Sequence, residues 1–405
     1  MFRKFPGIGP GALITAAFIG PGTIATCSLA GAQFGFALLW GLVFSVIATL
    51  VLQEMAARLG ILTGKGLGEA LRAHFSSGLP RLLAIVLVIS AITIGNAAFE
   101  TGNILGATIG LESLTGMPEK STNLWIILIG AAAFTVLYSG SYKVVERVMI
   151  SLVIVMSLTF ITTAIIVMPP AIPLLKGLFI PALPDGALLT VLGLIGTTVV
   201  PYNLFLYASA VQERYKKAED LPVARTDMFV AVILGGVISM AIVVSAATAF
   251  YSSGNLPAHG ADLATQLQPL LGNLANYFIG TGLFAAGISS AITAPLAAAY
   301  ATMGILGWKK DLTSWRFRAV WMFILFAGLF FSLLGLRPLE TIVFAQAANG
   351  ILLPVIAIYL LWVVNSKKIM PSGTNGLLSN ILGVIVILVT LVLGFRSLLM
   401  VFGFL

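Results

Sequence analysis

The chain has 405 residues, of which 59% are hydrophobic and 9% are charged, and its formal net charge is +8 at pH 7. Soluble domains carry about 25% charged residues, so this composition excludes a sizeable soluble domain and indicates a membrane protein. The pI of 9.6 raises the question of nucleic-acid binding, but the basic residues lie in short connections between apolar runs, as membrane topology requires. The sequence predicts one integral membrane domain over 1–405, surrounded by the lipid bilayer, with no nucleic-acid partner and no obligatory protein partner evident.

The N-terminal stretch MFRKF is typical of the basic n-region of a signal peptide. The apolar run that follows is longer than an h-region, so we interpret residues 11–34 as a retained first span. The single cysteine, Cys27, lies within this run, where a buried, inert thiol is expected, and it excludes an intramolecular disulfide.

Apolar runs of about 20 residues, the length that crosses a bilayer as a helix, recur along the chain. They predict eleven transmembrane helices, at 11–34, 36–58, 82–110, 123–140, 145–168, 187–211, 226–250, 274–306, 317–335, 340–364 and 377–400. The alternate connections, together with the adjoining ends of the spans, hold every Lys and Arg except Lys120, Lys176, Arg337 and Arg396. By the positive-inside rule this predicts a cell (inner) membrane protein with a cytoplasmic N-terminus and an external C-terminus.

Two of the predicted spans are interrupted near their centres. The first, AAFIGPGTIATCSLAGAQFG, contains Pro21 between Gly20 and Gly22, and the sixth, ALLTVLGLIGTTVVPYNLFLYASAVQER, contains Pro201. Proline removes a backbone donor and glycine weakens a helix, so both spans should break. Five helices separate the breaks, and an odd number inverts the second copy. This pattern indicates an inverted-repeat transporter, with repeats at about 9–170 and 171–366 and an extra helix at about 377–400.

Each break is expected to expose polar groups to a substrate at the membrane midplane, because non-helical backbone at that depth must be packed in protein or line a wet cavity. The first break offers the carbonyls of Ala17 and Gly20 and the hydroxyl of Thr23. The second offers the Thr197 carbonyl and hydroxyl. The side chains of Tyr202 and Asn203 complete this predicted site.

The chemistry of these groups leaves two substrate classes open. Neutral oxygens suit a hard cation such as Mg²⁺ or Mn²⁺, held in part through its hydration shell at Gly20, Thr23, Thr197 and Asn203. The N-termini of the second half-helices, near Thr23 and Leu204, would instead suit a carboxylate, and hence a small zwitterion such as an amino acid.

Further polar residues lie inside predicted spans. Glu100 is a buried acid for which we expect a proton or charge relay, the alternative being a protonated carboxyl held by Asn96 and Asn103. Gln346 and Asn349 share one face of the tenth span, where they either face the cavity or hold helices together.

Other reaction classes lack support in the sequence. His74 and His259 fall in predicted connections, so neither is an expected metal ligand. GAQFG and GNILGATIG lack the context of a nucleotide-binding loop and predict close helix packing. No Walker sequence or nucleophile constellation is present, so we expect neither an enzyme nor a cofactor.

Several stretches resemble the NRAMP divalent-metal transporters, a family with the LeuT-type fold. They are LGILTGKGLGEALR after the second span, LKGLFIPALPDGALLTVLGLIGTTVVPYNLFLYAS around the sixth, GLFAAGISSAIT in the eighth and NSKKIM after the tenth. The resemblance covers most of the chain and implies an all-α, eleven-helix transporter in which helices 1 and 6 are broken.

The substrate motifs differ from that family pattern. Its Asp-Pro-Gly-Asn is replaced by Gly20, Pro21, Gly22 and Thr23, and its Met-Pro-His-Asn by Val200, Pro201, Tyr202 and Asn203. Ile288 stands where the family often has Gln. Glu100 matches an acid of the family's proton route, and Ala97 occupies the neighbouring Asp position.

The resemblance therefore implies divalent cation transport through a site without the family's carboxylate or thioether, in which the Val200 position still contributes. Related branches that carry magnesium in a more hydrated form fit such a neutral site. The alternative is a LeuT-fold transporter of a small neutral or zwitterionic solute.

Overall fold

The computed structural model describes residues 10–75, 77–116, 122–167, 169–251, 263 and 272–401, and within these ranges the chain forms helices and connections with no strand. The helices are α1 (Gly11–Phe18), α2 (Pro21–Phe34), α3 (Leu39–Thr63), α4 (Leu67–His74), α5 (Gly78–Thr115), α6 (Thr122–Tyr138), α7 (Tyr142–Val167), α8 (Ala171–Phe179), α9 (Leu188–Thr198), α10 (Pro201–Arg214), α11 (Leu221–Ala246), α12 (Ala275–Leu306), α13 (Trp315–Ser332), α14 (Pro338–Asn365) and α15 (Leu377–Val401). Lys120 and His259 lie outside the described residues.

Nine helical segments of the described chain are long and apolar enough to cross a membrane. One of them combines α9 and α10. The apolar α6 has only 17 residues, and the α1–α2 pair is divided, so neither is among the nine. Every predicted span coincides with one of these helices or pairs. The all-α, multi-pass architecture is therefore confirmed, whereas the count of eleven stays a prediction.

The two predicted helix breaks have nearly the same backbone. After α1, Ile19 has φ −85° and ψ 75°, and after α9, Val199 has φ −95° and ψ 69°. The next residue is extended at both breaks, and a proline then starts a 14-residue helix, α2 or α10. Both breaks are confirmed, and their likeness supports the inverted repeat, although its bounds at 9–170 and 171–366 stay a prediction.

Glycines allow the helices to approach closely, as the two glycine-rich stretches predicted. A Cβ on Gly110 of α5 would lie 2.7 Å from the Gly280 carbonyl of α12. A Cβ on Gly31 of α2 would lie 2.8 Å from the amide nitrogen of Ala247, just after α11. Small residues are the usual means by which membrane helices pack backbone to backbone.

Ion pairs join residues that are far apart in the chain. They are Arg225 with Glu54 at 2.6 Å, Lys310 with Glu69 at 2.8 Å and Arg214 with Glu146 at 3.9 Å. Each pair joins residues that the predicted topology assigns to the cytoplasmic side. The structure thus brings these segments together, while the side of the membrane that they face stays a prediction.

Candidate binding site at the paired helix breaks

The two breaks contact each other in the protein interior. The Thr23 and Thr197 hydroxyl oxygens lie 2.7 Å apart, and the Asn203 side-chain amide donates to the Ile14 carbonyl at 3.3 Å. The Tyr202 hydroxyl donates to the Ala17 carbonyl at 3.1 Å. Solvent does not reach these side chains, because Thr23, Thr197, Tyr202 and Asn203 are each 1% exposed or less.

The prolines release one carbonyl at each break. In a continuous helix the carbonyl of residue i accepts the N–H of residue i+4, and proline has no N–H to offer. Pro21 thus deprives Ala17 of a donor, and Pro201 does the same to Thr197. The Tyr202 hydroxyl replaces the missing donor at Ala17. Among the described residues no donor reaches the Thr197 carbonyl.

The other carbonyls of the first break are also occupied. The Phe18 carbonyl accepts the Thr23 hydroxyl, and the Gly20 carbonyl accepts the backbone N–H groups of Thr23 at 3.0 Å and Ile24 at 3.2 Å. The expectation that Ala17 and Gly20 offer free carbonyls is therefore wrong. The first turn of α2 and the side chain of Tyr202 satisfy them, as buried carbonyls require.

Two serines of α12, which the sequence analysis did not select, complete this set. The Ser290 hydroxyl donates to the Ala16 carbonyl at 3.4 Å, and the Ser289 hydroxyl is shared between the Ala286 carbonyl at 2.9 Å and the Ala16 carbonyl at 3.3 Å. The Ser290 oxygen would also lie 2.6 Å from a Cβ built on Gly20, so a side chain at Gly20 would displace it. The adjacent hydroxyls in GLFAAGISSAIT were the available signal, because polar side chains within a span need a partner.

At the second break, several oxygen atoms are able to accept a hydrogen bond but receive none. The Thr23 hydroxyl donates its proton to the Phe18 carbonyl, so Thr197 is the donor in the pair of hydroxyls. The lone pairs of the Thr197 oxygen therefore remain available to a ligand. Asn203 uses its amide nitrogen on Ile14, and its Oδ1 has no hydrogen-bond partner. The Val200 carbonyl accepts the Asn203 N–H at 3.0 Å, and the Val200 side chain is apolar and buried.

Gln346 of α14 lies between the two breaks. Its side chain lies against Gly22, where a Cβ would overlap it, and its backbone carbonyl lies against Gly196 of α9. The Gln346 Oε1 is buried without a partner. Asn349 lies elsewhere, with its Oδ1 4.0 Å from a Cβ built on Gly95 of α5 and its Nδ2 unpaired. The structure thus brings only Gln346 of this predicted pair to the breaks.

Glu100 is fully buried on α5 and connects to the first break through Asn103. The Asn103 amide donates to one Glu100 oxygen at 3.2 Å, and the Asn103 Oδ1 would lie 3.8 Å from a Cβ on Gly20. The second Glu100 oxygen has no partner. Asn96 donates instead to the Ala294 carbonyl at 3.1 Å, so the expectation that it also holds Glu100 is wrong.

Of the two histidines only His74 is described, and it lies away from the breaks. Its ring packs edge-on against Trp362, with 4.7 Å between the ring centroids. The described residues contain no group of three or more His, Cys, Asp or Glu arranged to hold a metal ion. Any ion at the breaks would therefore meet neutral oxygens.

Matched breaks in two helices of an all-α membrane bundle define the LeuT-type class of inverted-repeat transporters. The fold is similar to that of the Eremococcus coleocola manganese transporter, solved with an aromatic bis-isothiourea compound, at a TM-score of 0.77, 22% identity and coverage of 96% and 85% of the two chains. It is also similar to MhsT, solved with L-phenylalanine, at a TM-score of 0.67, 16% identity and coverage of 97% and 98%.

The family model described as Natural resistance-associated macrophage protein-like, Nramp, matches residues 11–400, and the chain belongs to this family. The divalent metal cation transporter MntH of Klebsiella pneumoniae subsp. pneumoniae is 30% identical over 378 residues, which cover 92% of this chain and 88% of that protein. MntH of Mesorhizobium japonicum is 31% identical over 417 residues, covering 95% and 88%. These relatives are transporters rather than enzymes, in agreement with the absence of catalytic motifs.

Proposed function

We propose that the chain is a secondary transporter that moves a divalent metal cation, with Mg²⁺ or Mn²⁺ favoured, across the membrane by alternating access. The observation that carries this proposal is a set of oxygen atoms that accept no hydrogen bond. Three lie at the second break, namely the Thr197 carbonyl oxygen, the Thr197 hydroxyl oxygen and the Asn203 Oδ1, and the fourth is the Gln346 Oε1 between the two breaks.

Unpaired acceptors favour a cation over an anion. A buried oxygen without a donor is costly to the protein, and a cation or its water shell satisfies it. The side-chain protons at the breaks are already committed, that of Thr23 to Phe18 and that of Tyr202 to Ala17. A substrate carboxylate would instead need free donors.

The ligand set favours hard ions. Neutral oxygens suit Mg²⁺ and Mn²⁺, whereas a thioether would favour softer transition metals, and Val200 stands at the family's methionine position. Because the breaks hold no carboxylate, the charge of the ion is offset by dipoles and by the waters it retains, which suits Mg²⁺. We propose Glu100 as the proton or charge relay, connected to the site by its hydrogen bond with Asn103.

The breaks support the proposed alternating access. Each break contains two non-helical residues, Ile19 and Gly20 at the first and Val199 and Val200 at the second. The half-helices can pivot there without breaking the hydrogen bonds of a helix. In the closed arrangement the ion pairs at the end that we assign to the cytoplasm hold the inner connections together. The proposed orientation in the cell (inner) membrane has the N-terminus inside and the C-terminus outside.

The alternative substrate is a small zwitterion. It is supported by the N-termini of α2 and α10, because the positive end of a helix dipole favours a carboxylate. A zwitterion site would saturate with amino acids and ignore divalent ions, and a cation site would do the reverse.

The test is uptake by the full-length protein in liposomes loaded with a divalent-sensitive dye, with Mg²⁺ and then Mn²⁺ added outside. We expect saturable influx in the wild type and none in the Thr23→Ala, Asn203→Ala double variant. The matched control is Thr198→Ala, which removes a neighbouring buried hydroxyl that bonds only within α9, to Leu194. Absence of influx with folded protein, together with uptake of amino acids, would favour the zwitterion.

A further inference from the structure

Tyr202 differs from the other groups at the second break because its hydroxyl occupies the carbonyl that proline leaves without a donor at the first break. Its hydroxyl donates to the Ala17 carbonyl at 3.1 Å. Its ring is 1% exposed and packs edge-on against Phe99 of α5, with 5.5 Å between the centroids. The ring is therefore held by α5 while the hydroxyl bridges α10 to α1.

The carbonyl that Tyr202 occupies is the counterpart of a carbonyl that stays free. Ala17 and Thr197 each lie four residues before the proline of their break, and each loses its helical donor for the same reason. Thr197 has no replacement donor among the described residues, and Ala17 has Tyr202. Without this hydroxyl the paired breaks would offer two bare carbonyls instead of one.

We infer that Tyr202 is a specificity-determining residue, because its hydroxyl withdraws the Ala17 carbonyl from direct coordination of the transported cation. The inference rests on the proposed function as a divalent cation transporter. Each protein oxygen in direct contact replaces a water of the ion, which benefits an ion that dehydrates readily. Mg²⁺ dehydrates reluctantly and keeps several waters. Tyr202 thus biases the site towards Mg²⁺ and against Mn²⁺.

The experiment compares Tyr202→Phe with the wild type in liposomes and measures the ratio of the apparent affinities for Mn²⁺ and Mg²⁺. Phenylalanine keeps the ring and its contact with Phe99 and removes only the hydroxyl. We expect the affinity ratio to shift roughly fivefold towards Mn²⁺, which is the change in affinity that one hydrogen bond typically produces.

The matched control is Tyr207→Phe, on the same helix. Tyr207 is also fully buried, and its hydroxyl donates to a backbone carbonyl, that of Ala224 at 3.4 Å, away from the breaks. Tyr207→Phe therefore also removes a buried hydroxyl from α10, but it leaves the hydrogen bond to Ala17 unchanged. We expect Tyr207→Phe to keep the wild-type ratio.

The outcomes separate this inference from the proposed function. A wild type that carries neither ion contradicts the function, whatever Tyr202 does. A wild type that carries them, with an unchanged ratio in Tyr202→Phe, overturns the inference alone. An equal loss of affinity for both ions would make Tyr202 a structural tie between α10 and α1, and would also overturn it. If Tyr202→Phe folds poorly, selective thermal stabilisation by Mn²⁺ supports the inference, and equal or absent stabilisation by the two ions contradicts it.

Discussion

The two helix breaks have nearly the same backbone but opposite hydrogen bonding. At the first break, the carbonyls of Ala16, Ala17, Phe18 and Gly20 all accept protons from hydroxyls or first-turn amides. At the second break, the Thr197 carbonyl and the Asn203 Oδ1 accept none among the described residues. The repeat therefore determines where the chain opens, and the side chains determine which opening stays chemically unsatisfied.

This difference assigns separate roles to the two breaks in the proposed transport cycle. The backbone carbonyls of the first break are satisfied without a ligand, so this break can act as a joint whose closed state the protein stabilises by itself. The second break leaves acceptors that a cation or its waters can satisfy. A substrate that satisfies them stabilises the closed arrangement, since a ligand shifts a conformational equilibrium only by binding one state better.

The largest expected effect comes from forcing the breaks away from α14. Gly196→Ala would place a methyl group over the Gln346 carbonyl and 2.6 Å from the Gly350 amide nitrogen. Backbone atoms cannot move aside as a side chain can, so we expect a loss of about 3 kcal/mol in stability and loss of transport. Thermal unfolding of the purified protein in detergent measures the first, and liposome uptake the second.

Gly193→Ala, one turn earlier on α9, is the control for this substitution. Its methyl group would meet only the Thr26 side chain, whose methyl carbon would be 3.0 Å away, and that side chain can give way. We expect less than about 1 kcal/mol of destabilisation here. Equal losses from the two substitutions would mean that the approach of α14 is not what positions the breaks.

The fold was predictable from sequence because its determinants are local. Proline lacks its N–H wherever it stands, and Pro21 and Pro201 stand at the two breaks. Pro295 and Pro354 lie inside α12 and α14 without ending them, so a proline marks a break only together with its local sequence. The bonds that distinguish the breaks were not predictable in this way. The contacts of Tyr202 with Ala17 and of Ser289 with Ala16 join segments far apart in the chain, and they depend on how α10 and α12 are rotated against α1. The same reason explains why helical spacing, which places Gln346 and Asn349 on one face, did not show that only Gln346 contacts Gly22 and Gly196.

Single substitutions at Asn203 and Thr23 test the division of roles between the breaks. Asn203→Ala removes an unpaired acceptor, and we expect about a tenfold loss of apparent cation affinity with little change in stability. Thr23→Val removes the donor to the Phe18 carbonyl and leaves that carbonyl unpaired. We expect it to cost about 1–2 kcal/mol of stability and to change affinity less.

The measurements are uptake titrations and thermal unfolding on the same preparations. The comparison of the breaks is contradicted if Thr23→Val weakens cation affinity more than Asn203→Ala does. The proposed difference between the breaks is supported if added cation restores stability in Thr23→Val but not in Asn203→Ala. Only Thr23→Val keeps all the acceptors of the second break.

The smallest expected effect on stability, but a specific effect on transport, comes from Glu100→Gln. The breaks differ in their relation to this acid, because Asn103 connects Glu100 to Gly20 at the first break. Glutamine keeps the shape and an oxygen for the Asn103 amide, so we expect the unfolding temperature to stay nearly unchanged. The variant removes the ionisable proton, and we expect uptake to lose its dependence on pH.

The matched control for Glu100→Gln is Glu112→Gln, which changes an acid near the end of α5 that accepts a hydrogen bond from Thr122. Uptake measured over a pH series should keep the wild-type profile in this control. An unchanged rate and an unchanged pH profile in Glu100→Gln would remove Glu100 from the transport cycle and leave the first break as a purely mechanical joint.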